Sequence, residues 1–253
     1  MRRVVKVGGR AQADARLPGA LAAAAAGATN ALCVVHGGGD EVSALQRRLG
    51  LEPTFVGGRR VTSAADLEVV RMVLSGTINK RLVALLLARG VRAIGLSGED
   101  ARLFTARAMD AATMGRVGGA VTVDARVVEH LLAGGFTPVI SPLARDAEDP
   151  TAGLNVNGDD AAAALAVALE ADELVLVADV PGVLDAGAVL PLLDPEHARA
   201  LVAAGVAAGG MAAKLEAATA ALQGGVASVR IAGLDGITDP GAGTRMVLSP
   251  SPV

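Results

Sequence analysis

The sequence contains very few aromatic residues and a single cysteine. Its 253 residues include no Trp, no Tyr and three Phe, so aromatic side chains make up 1% of the chain. Packing must therefore rely on small aliphatic side chains and on close approach between helices and strands. Cys33 lies in an apolar run, which excludes a disulfide framework and is typical of a small buried hydrophobe in a cytoplasmic protein.

Long apolar runs and basic blocks are also missing. Hydrophobic residues make up 52% of the chain, but no uncharged stretch approaches the ~20 strongly apolar residues that a membrane span requires. Residues 1–7 are too short for the hydrophobic region of a signal peptide. The formal net charge is -3, without a cluster of Lys and Arg that could follow a nucleic-acid backbone. We therefore expect neither a membrane nor a nucleic-acid partner.

Glycine, in contrast, is abundant, with 32 residues that mostly separate periodic apolar segments. Short apolar runs with helical segments between them predict strands. They lie at residues 4–7, 31–36, 93–96, 137–141 and 173–177. Strands that alternate with helices predict an α/β fold with a largely parallel sheet.

Three local predictions are specific enough to test. Residues 11–26 have the composition of one helix. The sequence Ser-Ala-Ala-Asp at 63–66 is a capping box, and it opens a helix that we expect Gly76 to end. Strand-like pieces within 103–123 predict a hairpin.

Residues 153–160 concentrate polar groups directly before an apolar helical segment. Asn155, Asn157, Asp159 and Asp160 are two amides and two carboxylates, and residues 161–169 follow them. Polar groups beside an apolar helix need partners. A helix N-terminal cap explains one or two of the four. The cluster is therefore a candidate functional site.

Glycine turns and lysines supply matching parts elsewhere in the chain. Strands end in the turns Gly8-Gly9, Gly37-Gly38-Gly39 and Ser97-Gly98. In open parallel sheets, ligands bind beyond the carboxyl ends of the strands, where glycine N–H groups approach a phosphate closely. Lys6 and Lys214 each lie near a glycine pair, which favours a phosphate site over a structural ion pair.

Several common sites are excluded. No Gly-Lys-Ser/Thr follows either turn, so a Walker motif is missing, and the dinucleotide pattern Gly-x-Gly-x-x-Gly is missing too. His36, His130 and His197 lack the spacing of metal ligands, so we assign no metal ligands. No Ser-His-Asp or Cys-His arrangement is supported.

Six motifs together occur in the order found in the amino-acid kinase superfamily. They are Lys6-Val7-Gly8-Gly9, Val35-His36-Gly37-Gly38-Gly39, Phe55-Val56-Gly57-Gly58-Arg59-Arg60-Val61-Thr62, Asn155-Val156-Asn157-Gly158-Asp159, Asp179-Val180-Pro181-Gly182-Val183 and Gly209-Gly210-Met211-Ala212-Ala213-Lys214. The sequence resembles this superfamily from about residue 4 to Thr244. It is most similar to the branch that phosphorylates N-acetyl-L-glutamate.

The resemblance implies a fold and a reaction. The fold is a three-layer α/β/α sandwich of the carbamate kinase-like type. It forms one domain over 1–253, with a substrate and phosphoryl lobe at about 1–157 and a nucleotide lobe at about 158–253. The reaction transfers the γ-phosphoryl group of ATP to the γ-carboxylate of N-acetyl-L-glutamate, the second step of arginine biosynthesis, in the cytoplasm. Mg²⁺ is expected to be held mainly by ATP.

The resemblance also implies residue roles. Lys6 and Lys214 are expected on opposite sides of the transferring phosphoryl group, with Asp159 holding both lysines. The attacking carboxylate is already ionised at pH 7, so no general base is required. Binding roles fall on three further sets: Gly8, Gly9, Gly37, Gly38 and Gly39 for the phosphoryl oxygens; Arg60, Asn155 and Asn157 for the acyl amino acid; Asp179, Gly182, Gly210 and Met211 for the nucleotide.

The sequence departs from the family pattern at three places. Gly158 replaces the usual Ala, Ala178 replaces the usual Thr, and the stretch after Asp185 is short and apolar. These changes concern nucleotide binding more than the type of reaction. The first strand begins by residue 4, without the extra N-terminal helix of arginine-inhibited members. We therefore expect a homodimer with weak or no inhibition by arginine.

Two alternatives remain open at this stage. One is a kinase for aminoadipate or glutamate whose amine is blocked by a small acidic carrier protein. That partner requires a basic surface, for which Arg59, Arg60, Arg71, Lys80 and Arg81 are candidates. The other is a non-catalytic ligand sensor on the same fold.

Overall fold

The structure, a computed structural model, describes residues 1–27 and 31–248. The α-helices are α1 (Leu17–Gly27), α2 (Gly39–Arg48), α3 (Ala64–Arg71), α4 (Asn79–Leu87), α5 (Ala111–Met114), α6 (Arg126–Ala133), α7 (Gly158–Ala168), α8 (Pro195–Ala203) and α9 (Gly210–Gln223). The strands are β1 (Arg3–Val7), β2 (Leu32–His36), β3 (Phe55–Val56), β4 (Arg59–Arg60), β5 (Ala93–Ser97), β6 (Phe104–Ala108), β7 (Val117–Val123), β8 (Thr137–Ser141), β9 (Leu143–Asp146), β10 (Gly153–Val156), β11 (Glu173–Val177), β12 (Leu184–Asp185), β13 (Ala188–Val189), β14 (Leu192–Leu193), β15 (Ser228–Ala232) and β16 (Thr244–Met246). Short 3₁₀ turns lie at Arg10–Ala13, Asp100–Arg102 and Leu234–Ile237, and a π-helical segment lies at Met72–Ile78.

The central sheet has eight strands in the order β14-β16-β15-β11-β1-β2-β8-β5. Neighbouring strands are parallel except for the antiparallel pair β15 and β16. Every residue of β1, β2, β8 and β11 is buried, as expected of parallel strands with both faces covered. The predicted, largely parallel sheet is confirmed.

Alternation along β1 divides the interior into two cores. Val4 packs in one core with Leu165 of α7, whereas Val5 packs in the other with Leu21 of α1. Successive side chains of a strand point to opposite faces, so helices cover the sheet on both sides. This is the three-layer α/β/α sandwich that the resemblance implies. The same alternation places Lys6 on the face of the sheet that α7 covers.

Small side chains make the close packing on that face possible. Ala161, Ala162 and Ala166 of α7 are fully buried, and so are Ala218 and Ala221 of α9. Alanine lets helix backbones approach closely, which compensates for the missing aromatic side chains. Within residues 1–27 and 31–248, no helix combines the length and apolarity needed to cross a membrane.

A second, smaller sheet lies beside the sandwich. Strands β10, β7, β6 and β9 form a closed barrel. Its antiparallel pair β6 and β7 is the predicted hairpin, with a register shift between Thr105 and Arg107. Closure by β9 and β10 was not predicted, because β10 lies within the polar cluster at 153–160. The barrel positions Asn155 on β10 and leads directly into α7.

Two predicted helix boundaries are wrong. The expected helix at 11–26 is a 3₁₀ turn at Arg10–Ala13 followed by α1, which begins at Leu17. The expected break at Gly76 does not occur, because the π-helical segment Met72–Ile78 includes this glycine and joins α3 to α4. The capping box is confirmed, with Ser63 Oγ accepting from the Asp66 N–H at 3.1 Å.

Candidate active site

Two cavities meet beyond the carboxyl ends of β1 and β2. We name the two cavities after the roles that the resemblance implies. The acceptor cavity, of about 240 Å³, lies under the β3–β4 hairpin and includes Arg60, Asn155 and Asn157 in its lining. The nucleotide cavity, of about 510 Å³, includes Asp179, Met211 and Lys214. Four residues line both cavities: Lys6, Gly9, Gly39 and Asp159. The shared lining makes a junction at which a group could pass from one cavity to the other.

Asp159 lies at this junction between the two predicted lysines. Its Oδ1 is 2.8 Å from Lys6 Nζ, and its Oδ2 is 3.2 Å from Lys214 Nζ. Lys6 comes from β1 and Lys214 from α9, so the carboxylate joins elements that are about 200 residues apart in sequence. Asp159 is 4% exposed. The structure thus brings the three predicted catalytic residues together.

The charges of this cluster are unequal, because two ammonium groups share one carboxylate. Burial raises the pKa of Asp159, but attraction to Lys6 and Lys214 outweighs burial, so the net pKa is lowered and the carboxylate stays ionised. Burial, with repulsion from Lys6, lowers the pKa of Lys214 despite the attraction of Asp159. The junction therefore carries a net positive charge that suits phosphoryl oxygens.

The glycine turns after β1 and β2 touch each other at the junction. A Cβ on Gly9 would lie 3.5 Å from Gly38 Cα and 3.7 Å from the amide nitrogens of Gly38 and Gly39. A side chain at Gly9 would thus occupy the space that these amides border. At Gly38, Ile78 Cδ1 would lie 2.1 Å from an added Cβ, so only glycine fits. The close backbone approach suits a phosphate.

The predicted phosphate glycines divide between the cavities. Gly8 lines the nucleotide cavity, whereas Gly37 and Gly38 line the acceptor cavity. The third glycine turn lines neither, because Gly98 packs against Phe104 and Leu143. Gly158, where related sequences usually have Ala, also lines the acceptor cavity. A Cβ on Gly158 would lie 3.2 Å from Lys6 Cε, so an alanine would require the lysine to shift.

Arg60 is held rigidly in the acceptor cavity by its neighbours. The turn between β3 and β4 contains Gly57 and Gly58, both at positive φ, and directs Arg60 inward. Its Nη2 donates to Gly39 O at 2.7 Å and to Ser43 Oγ at 2.8 Å, and its Nη1 donates to Gln46 Oε1. The guanidinium also lies 4.7 Å from the centre of the Phe55 ring. Its Nε–H donates to no side chain or carbonyl of the described residues.

The two predicted asparagines have different surroundings. Asn155 Nδ2 donates to Thr62 Oγ1 at 3.0 Å, and the Thr62 hydroxyl donates to Arg60 O at 2.8 Å. This chain of hydrogen bonds fixes Asn155 relative to Arg60. Asn157 instead caps α7, with Oδ1 accepting from the Asp159 N–H at 2.7 Å. It lines the cavity while positioning the helix that carries Asp159.

The nucleotide cavity has fewer fixed side chains. Asp179 Oδ2 lies 3.4 Å from Arg10 Nη1, and both side chains are largely exposed. Gly210 and Met211, at the start of α9, line the cavity beside Ala178. Gly182, the remaining predicted nucleotide residue, is not part of the lining. It packs where a Cβ would meet Val189 and Thr244.

Sequence reasoning missed one contact near the acceptor cavity. Arg59 Nη1 lies 2.8 Å from Asp160 Oδ2, with side-chain exposures of 22% and 24%. The ion pair connects the hairpin to the first turn of α7. An aspartate in the first turn of a helix is already stabilised by the helix dipole. The sequence therefore did not indicate that Asp160 pairs with Arg59. The available signal for this ion pair was the occurrence of two adjacent arginines, Arg59-Arg60, and two adjacent aspartates, Asp159-Asp160.

The α/β fold and the positively charged junction between two cavities suit a phosphotransferase. Residues 1–233 match the model of the amino acid kinase family. The chain belongs to this family.

Its relatives include acetylglutamate kinases. The chain is 48% identical over 240 residues to the acetylglutamate kinase of Chloroflexus aurantiacus, covering 94% of each sequence. It is 42% identical to that of Roseiflexus castenholzii, covering 94% of this chain and 92% of the relative. Among solved structures, a Streptococcus mutans protein aligns with a TM-score of 0.87 at 30% identity, covering 98% of each chain.

Proposed function

We propose that this protein transfers the γ-phosphoryl group of ATP to the γ-carboxylate of N-acetyl-L-glutamate. The observation that carries the proposal is the junction, where Lys6 and Asp159 line both cavities and Lys214 completes the cluster from the nucleotide side. A donor in one cavity and an acceptor in the other would meet there. The acetylglutamate kinases at 42% to 48% identity support this choice of acceptor.

The junction would act by position and charge. Phosphoryl transfer requires the two reacting oxygens in line and stabilisation of charge on the transferring group. Lys6 approaches that group from β1 and Lys214 from α9, while Asp159 keeps both ammonium groups in place. The N–H groups of the touching glycine turns add donors for the same oxygens. The attacking carboxylate is ionised at neutral pH, so no residue needs to remove a proton.

The acceptor cavity would hold the acyl amino acid at both ends. Arg60 offers its Nε–H edge to the α-carboxylate, and its other nitrogens are anchored to Gly39, Ser43 and Gln46. Asn155 uses Nδ2 on Thr62, which directs its remaining oxygen to an N–H donor such as the acetamido group. The γ-carboxylate then reaches the junction.

Nucleotide binding falls to the second cavity. Asp179, Gly210 and Met211 line the space proposed for ATP. We propose that Mg²⁺ is held by the phosphates of ATP. Residues 1–27 and 31–248 contain no group of three or more His, Cys, Asp or Glu side chains placed to hold a metal ion. We also propose the division into lobes near residue 157, a homodimer and a cytoplasmic location.

The surface favours a free acceptor over a carrier-bound one. Of the basic residues that a carrier protein would use, Arg60 is buried, and Arg59 pairs with Asp160. Arg71 Nη2 lies 2.7 Å from Glu99 Oε1, and Arg81 Nη2 lies 2.6 Å from Glu41 Oε1. Lys80 is exposed, and its Nζ donates to Asn79 Oδ1 and Gly95 O rather than to a carboxylate. Four of the five candidates are therefore buried or paired, which leaves little basic surface for an acidic partner.

Release of ADP, measured in a coupled assay, tests the proposal. N-acetylglutamate, aspartate, glutamate and carbamate are supplied separately with ATP and Mg²⁺. We expect ADP release with N-acetylglutamate alone. Activity only on a carrier-protein conjugate of aminoadipate or glutamate would replace the proposal with the carrier-dependent kinase. Binding of N-acetylglutamate and ATP without ADP release would support a sensor.

A further inference from the structure

A fully buried histidine lies directly behind one of the glycine turns. His36 is the last residue of β2 and is 0% exposed. It lines neither cavity, so it does not contact the proposed substrates. A buried polar ring must satisfy its two nitrogens within the protein.

The partners of His36 fix its tautomer. Nδ1 lies 3.1 Å from Gly37 O, and Nε2 lies 3.1 Å from Asn79 Nδ2. A carbonyl oxygen only accepts, so Nδ1 carries the proton. The Asn79 amide nitrogen also donates to Val139 O at 2.8 Å and lies 3.3 Å from Leu96 O. These carbonyl partners identify it as the NH₂ group, so Nε2 of the ring is an acceptor toward it. The ring is therefore neutral, with its proton on Nδ1.

The ring and a glutamine hold the Gly37 carbonyl from the same side. Gln12 Nε2 donates to Gly37 O at 2.8 Å, in addition to His36 Nδ1. In a trans peptide the C=O and the following N–H point in opposite directions. Gly38 N–H thus points away from both donors. It bonds to no group of the described residues, and Gly38 lines the acceptor cavity.

Asn79 connects this arrangement to the π-helical segment. Met72–Ile78 ends where Asn79 begins α4, and Asn79 is 0% exposed. π-Helical turns often occur at functional sites because the extra residue redirects the side chains that follow. Here the segment also brings Ile78 against Gly38. One element therefore supports both the ring and the glycine turn.

We propose that His36 and Asn79 are positioning residues that hold the Gly37–Gly38 peptide so that the Gly38 N–H binds an oxygen of the transferring phosphoryl group. The proposal rests on the proposed function. A donor aligned before the reaction stabilises the charge that develops on these oxygens without reorganisation. Loss of the imidazole ring should therefore lower kcat by a larger factor than it raises KM for ATP or KM for N-acetylglutamate.

The first test uses the native protein. The sequence has three histidines, so the ring nitrogens of His36 can be assigned by NMR of protein labelled with ¹⁵N-histidine. We expect the neutral tautomer with its proton on Nδ1 at pH 7. A ring with its proton on Nε2, or a charged ring, would overturn the proposal. This result does not depend on which substrate the enzyme uses.

The second test compares variants of one strand. His36→Leu should lower kcat about 10- to 100-fold and leave both KM values within about twofold. His36→Asn retains a donor near the Nδ1 position and should recover a large part of kcat. Val34→Ala, a buried neighbour on β2, is the matched control; it should lower Tm but leave kcat near the native value.

The outcomes separate this proposal from the proposed function. If native protein phosphorylates N-acetylglutamate but His36→Leu keeps native kcat, the positioning role is wrong and the function stands. Equal kcat losses in His36→Leu and Val34→Ala, or no recovery in His36→Asn, would also overturn the role. If native protein phosphorylates another acceptor, the same kcat comparison is made with that acceptor.

Discussion

The two cavities differ in how firmly their side chains are held. In the acceptor cavity, Arg60 and Asn155 belong to one hydrogen-bonded set with Thr62, Ser43 and Gln46. In the nucleotide cavity, the charged pair of Arg10 and Asp179 has side-chain exposures of 75% and 47%. Fixed polar groups discriminate between ligands, whereas exposed flexible charges adapt to them. We therefore expect strict selection of the acceptor and weaker selection of the nucleotide.

The side chains of the junction are more deeply buried than the charged pair of the nucleotide cavity, and each contacts another. A mutation there should cause the largest loss of kcat. Lys214→Met removes one cation from the transferring group, so we expect kcat to fall about 10²- to 10³-fold. The lowered pKa of Lys214 means that the fold disfavours its charge, and the remaining Lys6 and Asp159 form a matched pair. Tm should therefore stay level or rise.

Steady-state kinetics and thermal unfolding check this prediction together. Asp159→Asn is the contrasting variant, because it leaves two buried cations without their carboxylate. It should lower both kcat and Tm. A Lys214→Met enzyme with native kcat would remove the junction from the mechanism.

Arg60→Gln should give the second largest effect, confined to the acceptor cavity. The variant loses the charge that would bind the α-carboxylate, so KM for N-acetylglutamate should rise about 10- to 100-fold while KM for ATP stays near the native value. Arg59→Gln is the matched control on the same hairpin. Because Arg59 pairs with Asp160, that change should alter KM only a few-fold. Equal effects in the two variants would contradict the separate role of Arg60.

The pH dependence should reveal Lys214. Its pKa is lowered by burial, so in the free enzyme it loses its proton at a lower pH than a free lysine, and kcat/KM should fall on the alkaline side below pH 10.5. In Lys214→Arg the guanidinium stays charged, and this alkaline decline should disappear from the residual activity. A decline that persists unchanged in Lys214→Arg would assign it to another group.

The smallest effect is expected in the nucleotide cavity. Arg10→Ala removes an exposed charge, so KM for ATP should change about two- to fivefold and KM for N-acetylglutamate should not change. Arg107→Ala removes a similarly exposed arginine, which lies outside both cavities and 4.0 Å from Glu148. It should leave both KM values unchanged. A loss of 100-fold or more in Arg10→Ala would contradict the contrast between the cavities.

Much of the fold follows from local sequence patterns. Apolar runs predicted the strands β1, β2, β8 and β11, which are buried throughout because both of their faces are covered. They also predicted β5, which is only partly buried and lies at the edge of the sheet. The capping box at Ser63 was predicted from residue types alone. The break at Gly76 was wrong, because glycine propensity is overridden where the π-helical segment packs against the glycine turn at Gly38.

The candidate site was predictable where a motif names a residue and not where a partner is distant in sequence. The three members of the junction were predicted as a set, and the structure brings them together. The pair of Arg59 and Asp160 depends on how the hairpin folds over α7. The contacts of His36 with Asn79 and Gln12 likewise depend on tertiary packing. Gly182 lies in a motif of the family and was predicted to bind the nucleotide. In the structure it packs against Val189 and Thr244 and does not line the cavity.

The central claim is that ATP and the acyl amino acid react across the junction of the two cavities. Trapping of the product tests it directly: the native protein is mixed with ATP, Mg²⁺, N-acetylglutamate and hydroxylamine, which converts an acyl phosphate into a hydroxamate. We expect one hydroxamate for each ADP, formed only when N-acetylglutamate is present. ADP and free phosphate without hydroxamate would contradict the claim.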